Sequence, residues 1–462
     1  MQKYFKLFKQ AVKGTDEDLT KGSLKRAIVL LSIPMILEML MESLFAVVDI
    51  FFVGRISTDA VATVGLTESV ITIVFAVAIG LSMGATAMVA RRIGEKKPEQ
   101  ASQVAAQAIL FSIFVSVLLG IGGYHYAEDI LRLMGGSESL ISSGKGYTKI
   151  LFGSNVVIML LFLLNGVFRG AGDASLAMRA LWIANGLNII LDPIFIFGIG
   201  SFEGFGVQGA AMASTIGRGC GVLYQLYILF SGKSIIKLHF HDFRTNINVI
   251  VRLIKLGAGG AGQFVISSMS WAVLVYILAN NFSESVVAGY TIAIRIIIFS
   301  ILPAWGIANA ASTLVGQNLG ANNPDRAEES VWKTAKYNTY FLVSIAIIMI
   351  VFAQPLIQIF TNDIIAIETG TIALQIISIG YIVFGYGMVF SQSFNGAGDT
   401  TTPTIINFIS FWLVEIPLAY LLAVYLEVGH TGIYWAMVIA ETVLTILCVY
   451  LFNKGHWKKV KV

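Results

Sequence analysis

Residues 27–54 read AIVLLSIPMILEMLMESLFAVVDIFFVG, an almost unbroken apolar run that decides the class of fold. At about 1.5 Å per helical residue, such a run is long enough to cross a hydrocarbon layer of roughly 30 Å. Its carboxylates Glu38, Glu42 and Asp49 are spaced i, i+4 and i+11, which at about 100° per residue places them on one helical face. The segment therefore predicts a membrane span whose acidic face is turned away from lipid.

The remainder of the chain repeats this apolar pattern. Of the 462 residues 56% are hydrophobic and 13% are charged, whereas soluble domains carry about 25% charged residues. The sequence predicts an all-α polytopic membrane protein of twelve spans. These spans are predicted at residues 27–54, 60–90, 101–123, 150–168, 177–200, 207–231, 249–280, 285–315, 335–354, 371–395, 403–426 and 431–453.

The basic residues predict the orientation of the chain. An even number of spans puts both termini on one side, and that side carries 25 of the 31 Lys and Arg residues, against four on the other. By the positive-inside rule the richer side is cytoplasmic. We therefore expect an inner-membrane protein with both termini in the cytoplasm.

Two motifs recur at one spacing. ARRIGEKKPEQA, with Gly94, resembles GQNLGANNPDRA, with Gly320, and NGVFRGAGDASLA, with Asp173, resembles SQSFNGAGDTTTP, with Asp399; the offset between the two copies is the same for both motifs. We predict two six-span lobes in a parallel internal repeat around a central cleft that opens alternately to each side. The expected parts are a basic tail (1–26), an N-lobe (27–231), a linker (232–248), a C-lobe (249–453) and a second tail (454–462).

Other classes of protein fit the sequence poorly. The GAGD loops lack a phosphate-binding pattern, so an ion gradient rather than a nucleotide is the expected energy source. Cys220 and Cys448 lie in apolar segments and the five His in loops or tails, where His239 and His241 could hold a metal but more plainly form a solvated loop. We expect no enzyme, no cofactor, no metal and no nucleic-acid partner.

Nine ionisable residues fall inside the predicted spans away from their edge turns, and seven are acidic. Ionisable groups at membrane depth cost a few kcal/mol each, so they mark functional or structural pairs. Glu38 and Glu42 could bind an ion or substrate, or simply neutralise a base. The nine are Glu38, Glu42, Asp49, Glu68, Asp192, Arg218, Arg295, Glu415 and Glu441.

The fifth span carries a second polar stripe. Asn185, Asn188 and Asp192 are spaced i, i+3 and i+7, again on one face. Asp192 and Asp49 both lie in the outer part of spans that run outward, so they could share one layer, which Glu68 could join. Carboxylates close together in a low dielectric repel, and such a cluster accepts a proton or coordinates sodium.

The segments SIPMILEMLMESLFAVVDIFFVGRIS, FRGAGD, NIILDPIFIFGIG, GVQGAAMAS, ASTLVGQNLGANNPDRA and NGAGDTTTP together resemble the multidrug and toxic compound extrusion family, in order and across essentially the whole chain. The resemblance implies two six-helix lobes around a V-shaped cleft. It also implies export of organic cations in exchange for inward protons or sodium.

The resemblance also implies particular site residues. The family's acidic residue in the first span matches Asp49, and its protonatable N-lobe partners match Asn188, Asp192 and a hydroxyl near Ser214 or Thr215. Protonation there is expected to couple to bending of the first helix, which Pro34 could assist.

One departure from the family pattern concerns the seventh span. Some members carry a cation-binding glutamate there, but GAGGAGQFVISSMSWAVLVYILA offers only Gln263 and three serines. We therefore expect ion coupling in the N-lobe, and leave open whether Glu415 in the C-lobe contacts ion or substrate.

The sequence leaves three alternative transport functions open. A flippase for lipid-linked saccharides or precursors would need cationic residues in the cleft, a major-facilitator carrier would share the twelve spans, and a passive channel would show no stoichiometric coupling. The preferred prediction is a secondary antiporter for small organic cations. We expect it to be a monomer surrounded by membrane lipid.

Overall fold

The computed structural model describes residues 2–14 and 17–462, so residues 1, 15 and 16 of the predicted tail lie outside the described residues. Apart from one antiparallel hairpin, in which Ile199 pairs with Phe202, the described elements are helical. The elements before the linker are α1 (Gln2–Lys13), α2 (Leu24–Val53), α3 (Thr58–Gly94), α4 (Pro98–His125), α5 (Ala127–Leu133), α6 (Glu138–Gly153), α7 (Asn155–Ala171), α8 (Ala174–Phe197), β1 (Gly198–Ile199), β2 (Phe202–Glu203) and α9 (Val207–Phe230).

The second half begins after a 3₁₀ turn, Phe240–Phe243. Its elements are α10 (Ile247–Asn281), α11 (Glu284–Gly320), α12 (Pro324–Val351), α13 (Ala353–Gln358), α14 (Ile364–Ile379), α15 (Tyr381–Ala397), α16 (Thr401–Asn407), the π-helix Phe408–Glu415, α17 (Ile416–Tyr420), the π-helix Leu421–Tyr425, α18 (Thr431–Asn453) and the 3₁₀ helix His456–Lys459. The four segments from Thr401 to Tyr425 form one continuous span. We call α2 to α9 the N-lobe and α10 to α18 the C-lobe.

The helix lengths bear on the predicted number of spans. Among the described residues, eight helices are long and apolar enough to cross a membrane, and two bent helix pairs would each form one broken span. This gives up to ten candidate spans; the other long helices, α2 and α9, have 30 and 24 residues, and the number twelve stays a prediction. The predicted all-α polytopic fold is confirmed.

The fourth and tenth spans differ from the prediction. They were expected at 150–168 and 371–395, but each is a pair of helices: α6 and α7 meet at 42°, and α14 and α15 at 56°. Most of α6 was missed, whereas the predicted tenth span begins inside α14 and covers its second half; neither break was predicted. In α6 the reason is visible, since its serines and lysines lower the hydropathy that marks a span.

The internal repeat is visible in the helix boundaries. The breaks before α7 and α15, at Ser154 and Gly380, are separated by the same offset as the two sequence motifs, and so are the left-handed caps Gly172 and Gly398 that end these helices. The bounds of α3 and α11, and of α4 and α12, also differ by this offset at both ends. The two halves therefore repeat one chain path, including its irregularities.

The lobes touch through glycines that leave no room for a side chain. A Cβ on Gly94 would collide with the Gln317 backbone carbonyl, and one on Gly306 would lie 2.7 Å from the Met35 carbonyl oxygen. Gly80 in α3 likewise meets the backbone of α10. Only glycine allows helices to approach this closely.

The ends of the chain lie beside the same contacts. The Arg92 guanidinium donates to the carbonyl oxygen of Val462 (3.0 Å), and Lys96 Nζ donates to Asp18 Oδ2 (2.8 Å). We call this face of the bundle, with residues 17–26 and 454–462, the terminal face. The close glycine contacts lie in the half of the bundle nearer to this face, so the lobes pack tightly against each other there.

Asp18 anchors the N-terminal segment at the terminal face over a wide pH range. Partial burial raises the pKa of Asp18, but hydrogen bonds from Lys96 and Thr20 outweigh this and bring its pKa down to about 2. A carboxyl group with a lowered pKa stabilises above its ordinary pKa and loses that effect only as the pH falls through the lowered value. The Asp18–Lys96 contact therefore persists throughout the physiological range.

The predicted linker is packed against the N-lobe. Gln107 Nε2 in α4 donates to the carbonyl oxygens of Asp242 (2.8 Å) and Arg244 (2.9 Å), and the Asn246 amide donates back to Gln107 Oε1 (2.9 Å). These bonds tie the linker to the N-lobe. The boundaries of the five predicted parts, at 26, 231, 248 and 453, stay a prediction.

We predict that Gly94→Ala separates the lobes at the terminal face, because the added methyl group would overlap the Gln317 carbonyl. The measurement is the distance between spin labels at exposed Glu99 and Glu329 in a variant with both cysteines replaced. Gly65→Ala is the matched control, because a Cβ at Gly65 meets nothing within 4 Å. Equal distance distributions in the two variants would contradict this role of Gly94.

Candidate functional site

Asp192 is the centre of a buried hydrogen-bond group in the N-lobe. Its side chain is fully buried, and Asn188, one turn earlier in α8, donates from Nδ2 to Asp192 Oδ1 (3.1 Å) and to Ser214 Oγ of α9 (3.1 Å). The i, i+4 spacing brings the amide beside the carboxylate on one helical face. The predicted pair Asn188 and Asp192 therefore meets, with Ser214 as its hydroxyl.

Thr215, the other hydroxyl considered, points elsewhere. Its Oγ1 shares a hydrogen bond of 2.8 Å with Ser154 Oγ, at the break between α6 and α7. Successive helical residues point in directions about 100° apart, so only one of Ser214 and Thr215 can face Asn188. The structure selects Ser214.

Asp49 of α2 belongs to the same electrostatic cluster. It is 8% exposed, and its carboxylate interacts electrostatically with Asp192, with Glu68 and with the Arg218 guanidinium. Glu68 itself is exposed on α3. Two carboxylates thus lie within electrostatic range of each other in one poorly solvated region.

Tyr147 is a member of this cluster that the sequence reasoning missed. Its buried side chain interacts electrostatically with Asp49, Asp192 and Arg218. It lies in α6, which was taken for a loop before the fourth span. The polar residues of α6 hid the helix, so no sequence signal pointed to this tyrosine.

Glu42 and Asn185 form a second contact between α2 and α8. Asn185 Nδ2 donates to Glu42 Oε2 (3.0 Å), and the Arg218 guanidinium lies 4.0 Å from Glu42 Oε1. Arg218 also covers the ring of Phe45 at 5.1 Å. Arg218 therefore neutralises Glu42, one of the alternatives that the sequence left open.

Glu38 has a different partner from those expected. The sequence suggested Arg218 or Arg295, but Glu38 Oε1 lies 3.3 Å from the Arg169 guanidinium of α7, which also donates to Ser82 Oγ (3.2 Å). Arg169 was missed because the predicted fourth span ended at 168, whereas α7 continues to Ala171. Arg295 is exposed and makes no ion pair within the described residues.

Pro34 lies inside α2, buried beside the helix crossing at Gly306. A proline removes the backbone donor to the residue four positions earlier, here Leu30, and so weakens the helix at that point. The structure therefore places a weak point between the terminal face and Asp49. Whether α2 bends there stays a prediction.

Gln263 and Glu415 lie in the C-lobe, away from Asp192. Gln263 Nε2 donates to Asn395 Oδ1 (3.0 Å) and to the Thr400 carbonyl oxygen (3.2 Å), so the seventh span is tied to the tenth and eleventh. Ser270 donates to Glu415 Oε2 (2.5 Å). Both residues line one cavity, which is described further below.

Several buried oxygens near Asp192 have no hydrogen-bond donor among the described residues. They are Asp192 Oδ2, Asn188 Oδ1 and Asn185 Oδ1. Buried polar atoms are nearly always paired, so unpaired oxygens call for an explanation. Carboxylate and amide oxygens in this arrangement accept a proton or a small hard cation.

A possible metal-binding group lies outside the spans. The ligand atoms of His239, His241 and Asp242 lie within 4.8 Å of one another. One Asp242 oxygen already accepts from the His239 amide (2.8 Å), which caps the 3₁₀ turn. The local role of these residues is to hold the turn of the linker.

Comparison with known proteins identifies the family. The family model MatE matches the chain twice, at residues 34–194 and 261–421. The chain therefore belongs to the MATE family of multidrug efflux transporters, and it is a transporter rather than an enzyme.

The similarity to known relatives extends along almost the whole chain. It is 28% identical over 445 residues to the probable multidrug resistance protein NorM of Thermotoga maritima, with 94% of each chain covered. A crystal structure of a MATE protein in the straight conformation has a TM-score of 0.90 at 27% identity, over 98% of this chain and 99% of that one. A MATE-family transporter in an outward-facing conformation also has a TM-score of 0.90 at 27% identity, over 96% and 98%.

We predict that the Glu38–Arg169 pair is structural. Arg169→Met would leave Glu38 buried without a countercharge and should lower the free energy of unfolding by about 3–5 kcal/mol. Glu38→Gln combined with Arg169→Met should recover most of that loss. Thermal unfolding in detergent measures both, and a double variant no more stable than Arg169→Met would show that the pairing is not what stabilises this site.

Proposed function

We propose that the protein is a secondary antiporter that exports organic cations in exchange for inward protons or sodium, and that the N-lobe cluster around Asp192 couples the two movements. The observation that carries this proposal is the contact of Asn188 with both Asp192 and Ser214, next to the Asp49 carboxylate. The relatives support the cargo, since the Thermotoga maritima protein is described as a probable multidrug resistance protein.

Electrostatics explains how such a cluster would respond to an ion. Two ionised carboxylates in a medium of low dielectric repel strongly, and the nearest described base, Arg218, is shared with Glu42. Binding of a proton or sodium ion removes this repulsion. The driving ion thus stabilises one arrangement of α2 and α8 over another.

Binding of the driving ion could also move α2. Asp49 lies on α2 about four helical turns after Pro34, and the crossing at Gly306 holds α2 near that proline. If the ion changes the position of Asp49 relative to α8, the weakened backbone at Pro34 is where α2 would bend. This links ion binding to the opening or closing of the lobes.

We further propose that the terminal face is cytoplasmic. This side carries most of the basic residues, as the positive-inside rule requires. The lobes close there, which corresponds to an outward-facing state, and one similar MATE structure is described as outward-facing. A cation in the cleft would then leave the cell when ions bind from outside.

The first prediction of the proposal concerns the two aspartates. Asp49→Asn and Asp192→Asn should each lower gradient-driven ethidium efflux from proteoliposomes at least about tenfold, because the amide cannot take up the driving proton or balance its charge. Imposing a proton gradient and a sodium gradient separately identifies the coupling ion. A passive channel would instead show flux with no gradient requirement.

Glu99→Gln provides the control for this experiment, because Glu99 is acidic, exposed and outside the cluster around Asp192. It should retain more of the efflux than either aspartate variant. Unchanged efflux in both Asp49→Asn and Asp192→Asn, with wild-type thermal stability, would rule out coupling through this cluster.

The second prediction separates the two neighbouring hydroxyls. Ser214→Ala removes the hydroxyl that Asn188 contacts and should shift the pH or sodium dependence of efflux, whereas Thr215→Val removes only the bond to Ser154. The measurement is the rate of efflux against ion concentration. Equal shifts in the two variants would show that the Asn188–Ser214 contact plays no special part.

A further inference from the structure

The C-lobe contains a cavity of about 400 Å³ that is separate from the aspartate cluster of the N-lobe. Its walls come from α10, α11, α14, α15, the Thr401–Tyr425 span and α18, and α3 of the N-lobe contributes Ile79 and Met83. Cavities of roughly 300–1,000 Å³ are typical of small-molecule sites. The size and enclosure suit an organic molecule rather than a bare ion.

Two carboxylates line this cavity without a countercharge. Glu415 is 1% exposed and accepts one hydrogen bond, from Ser270 (2.5 Å), while Glu441 is partly exposed towards the cavity. Among the described residues neither forms an ion pair, and none of the residues lining the cavity is Lys, Arg or His. The cavity is therefore lined by acidic side chains with no base beside them, whereas Glu38 and Glu42 in the N-lobe each have an arginine.

The internal repeat shows how this difference arises. Gly209 packs against the end of α8, and Gly432 packs in the same way against the end of the preceding span; Gly206 and Gly429 lie one turn before them. One offset, three residues shorter than that of the earlier motifs, separates the members of both glycine pairs and relates Arg218 to Glu441. The same repeat position thus carries a basic side chain in the N-lobe and an acidic one in the C-lobe.

The backbone around Glu415 is irregular in a way that favours an inward-facing carboxylate. Residues Phe408–Glu415 form a π-helix that ends at Glu415, and Pro417 follows within one turn. The wider π turn is frequent at functional sites. Pro417 donates no backbone hydrogen bond, which helps to accommodate the widening.

The rest of the lining is apolar and aromatic. It includes Trp271, Trp305, Phe264, Phe384 and Phe411. Aromatic faces attract organic cations, and the attraction grows where water is excluded. Two carboxylates within an aromatic wall define a site for a lipophilic cation.

We propose that this cavity binds one lipophilic organic cation, held by Glu415 and Glu441, and is a cargo site distinct from the ion-coupling cluster around Asp192. The cargo class rests on the proposed function, but the site does not depend on how transport is coupled. Because Met83 and Ile79 belong to α3, a bound cation would contact both lobes.

The experiment compares two probes that differ in charge. Binding of ethidium, a flat aromatic cation, and of phenanthridine, its uncharged parent ring system, is measured with the purified full chain in detergent. The combined variant Glu415→Gln and Glu441→Gln should bind ethidium at least tenfold more weakly and phenanthridine as before. Unchanged ethidium affinity would overturn the proposal, and so would equal weakening of both probes, since the carboxylates would then only shape the cavity.

Asp49→Asn separates this proposal from the proposed function. It should bind ethidium with the wild-type affinity even where it no longer transports. Loss of transport with retained binding in Asp49→Asn supports two separate sites, whereas equal loss of ethidium affinity in Asp49→Asn and in the glutamate variant would show that the probe binds in the N-lobe.

A second measurement leaves both glutamates intact, in case their replacement prevents folding. Ser268 lines the cavity, and Ser268→Cys in a background without Cys220 and Cys448 places a single thiol there. Ethidium should slow the modification of this thiol by a maleimide at least fivefold. The control variant Glu329→Cys carries its thiol at an exposed position, and that thiol should react at the same rate with and without ethidium. Equal rates at Ser268→Cys with and without ethidium would refute occupancy of the cavity.

Discussion

The cost of placing carboxylates in a medium of low dielectric governs the structure. Each acidic side chain inside the bundle must be paired, hydrogen-bonded or neutralised. Glu38 is paired with an arginine, and Glu42 has both an arginine and an asparagine amide as partners. Among the described residues Asp192 has only an amide donor and a neighbouring carboxylate. The acidic side chains of the bundle thus differ in how fully each is neutralised.

Close packing between the lobes is the second constraint on the structure. Gly94 and Gly306 bring backbones together without side chains between them, so the lobes meet as rigid surfaces. Buried apolar clusters belong largely to one lobe or the other, one of them extending from Val53 to Leu256. Separate cores are what the proposed rotation of the lobes as units would require, and the proposed coupling would convert an electrostatic change near Asp49 into a change of access.

The two copies of the repeat share the path of the chain, but they differ in the charge type of corresponding side chains. Helix breaks and caps recur at one constant offset along the chain, because they are set by backbone geometry that both lobes need. The inward-facing side chains differ, with Arg218 in one lobe and Glu441 in the other at matching positions. One architecture thus provides two chemically different interiors: in the N-lobe arginines pair with Glu38 and Glu42, whereas no base is among the residues that line the C-lobe cavity.

The sequence by itself determined an all-helical polytopic fold with an internal repeat, and it placed Asn188 and Asp192 on one helical face, because apolar length and helical spacing are local properties. It did not predict the break inside the fourth span or inside the tenth, since hydropathy registers apolar length and not a change in helix direction. Tertiary structure alone decided which acids have partners: Arg169 for Glu38, Ser214 rather than Thr215 for Asn188, and Tyr147 beside Asp49. Those choices depend on how separate helices rotate and pack against one another, which no spacing within a single helix specifies.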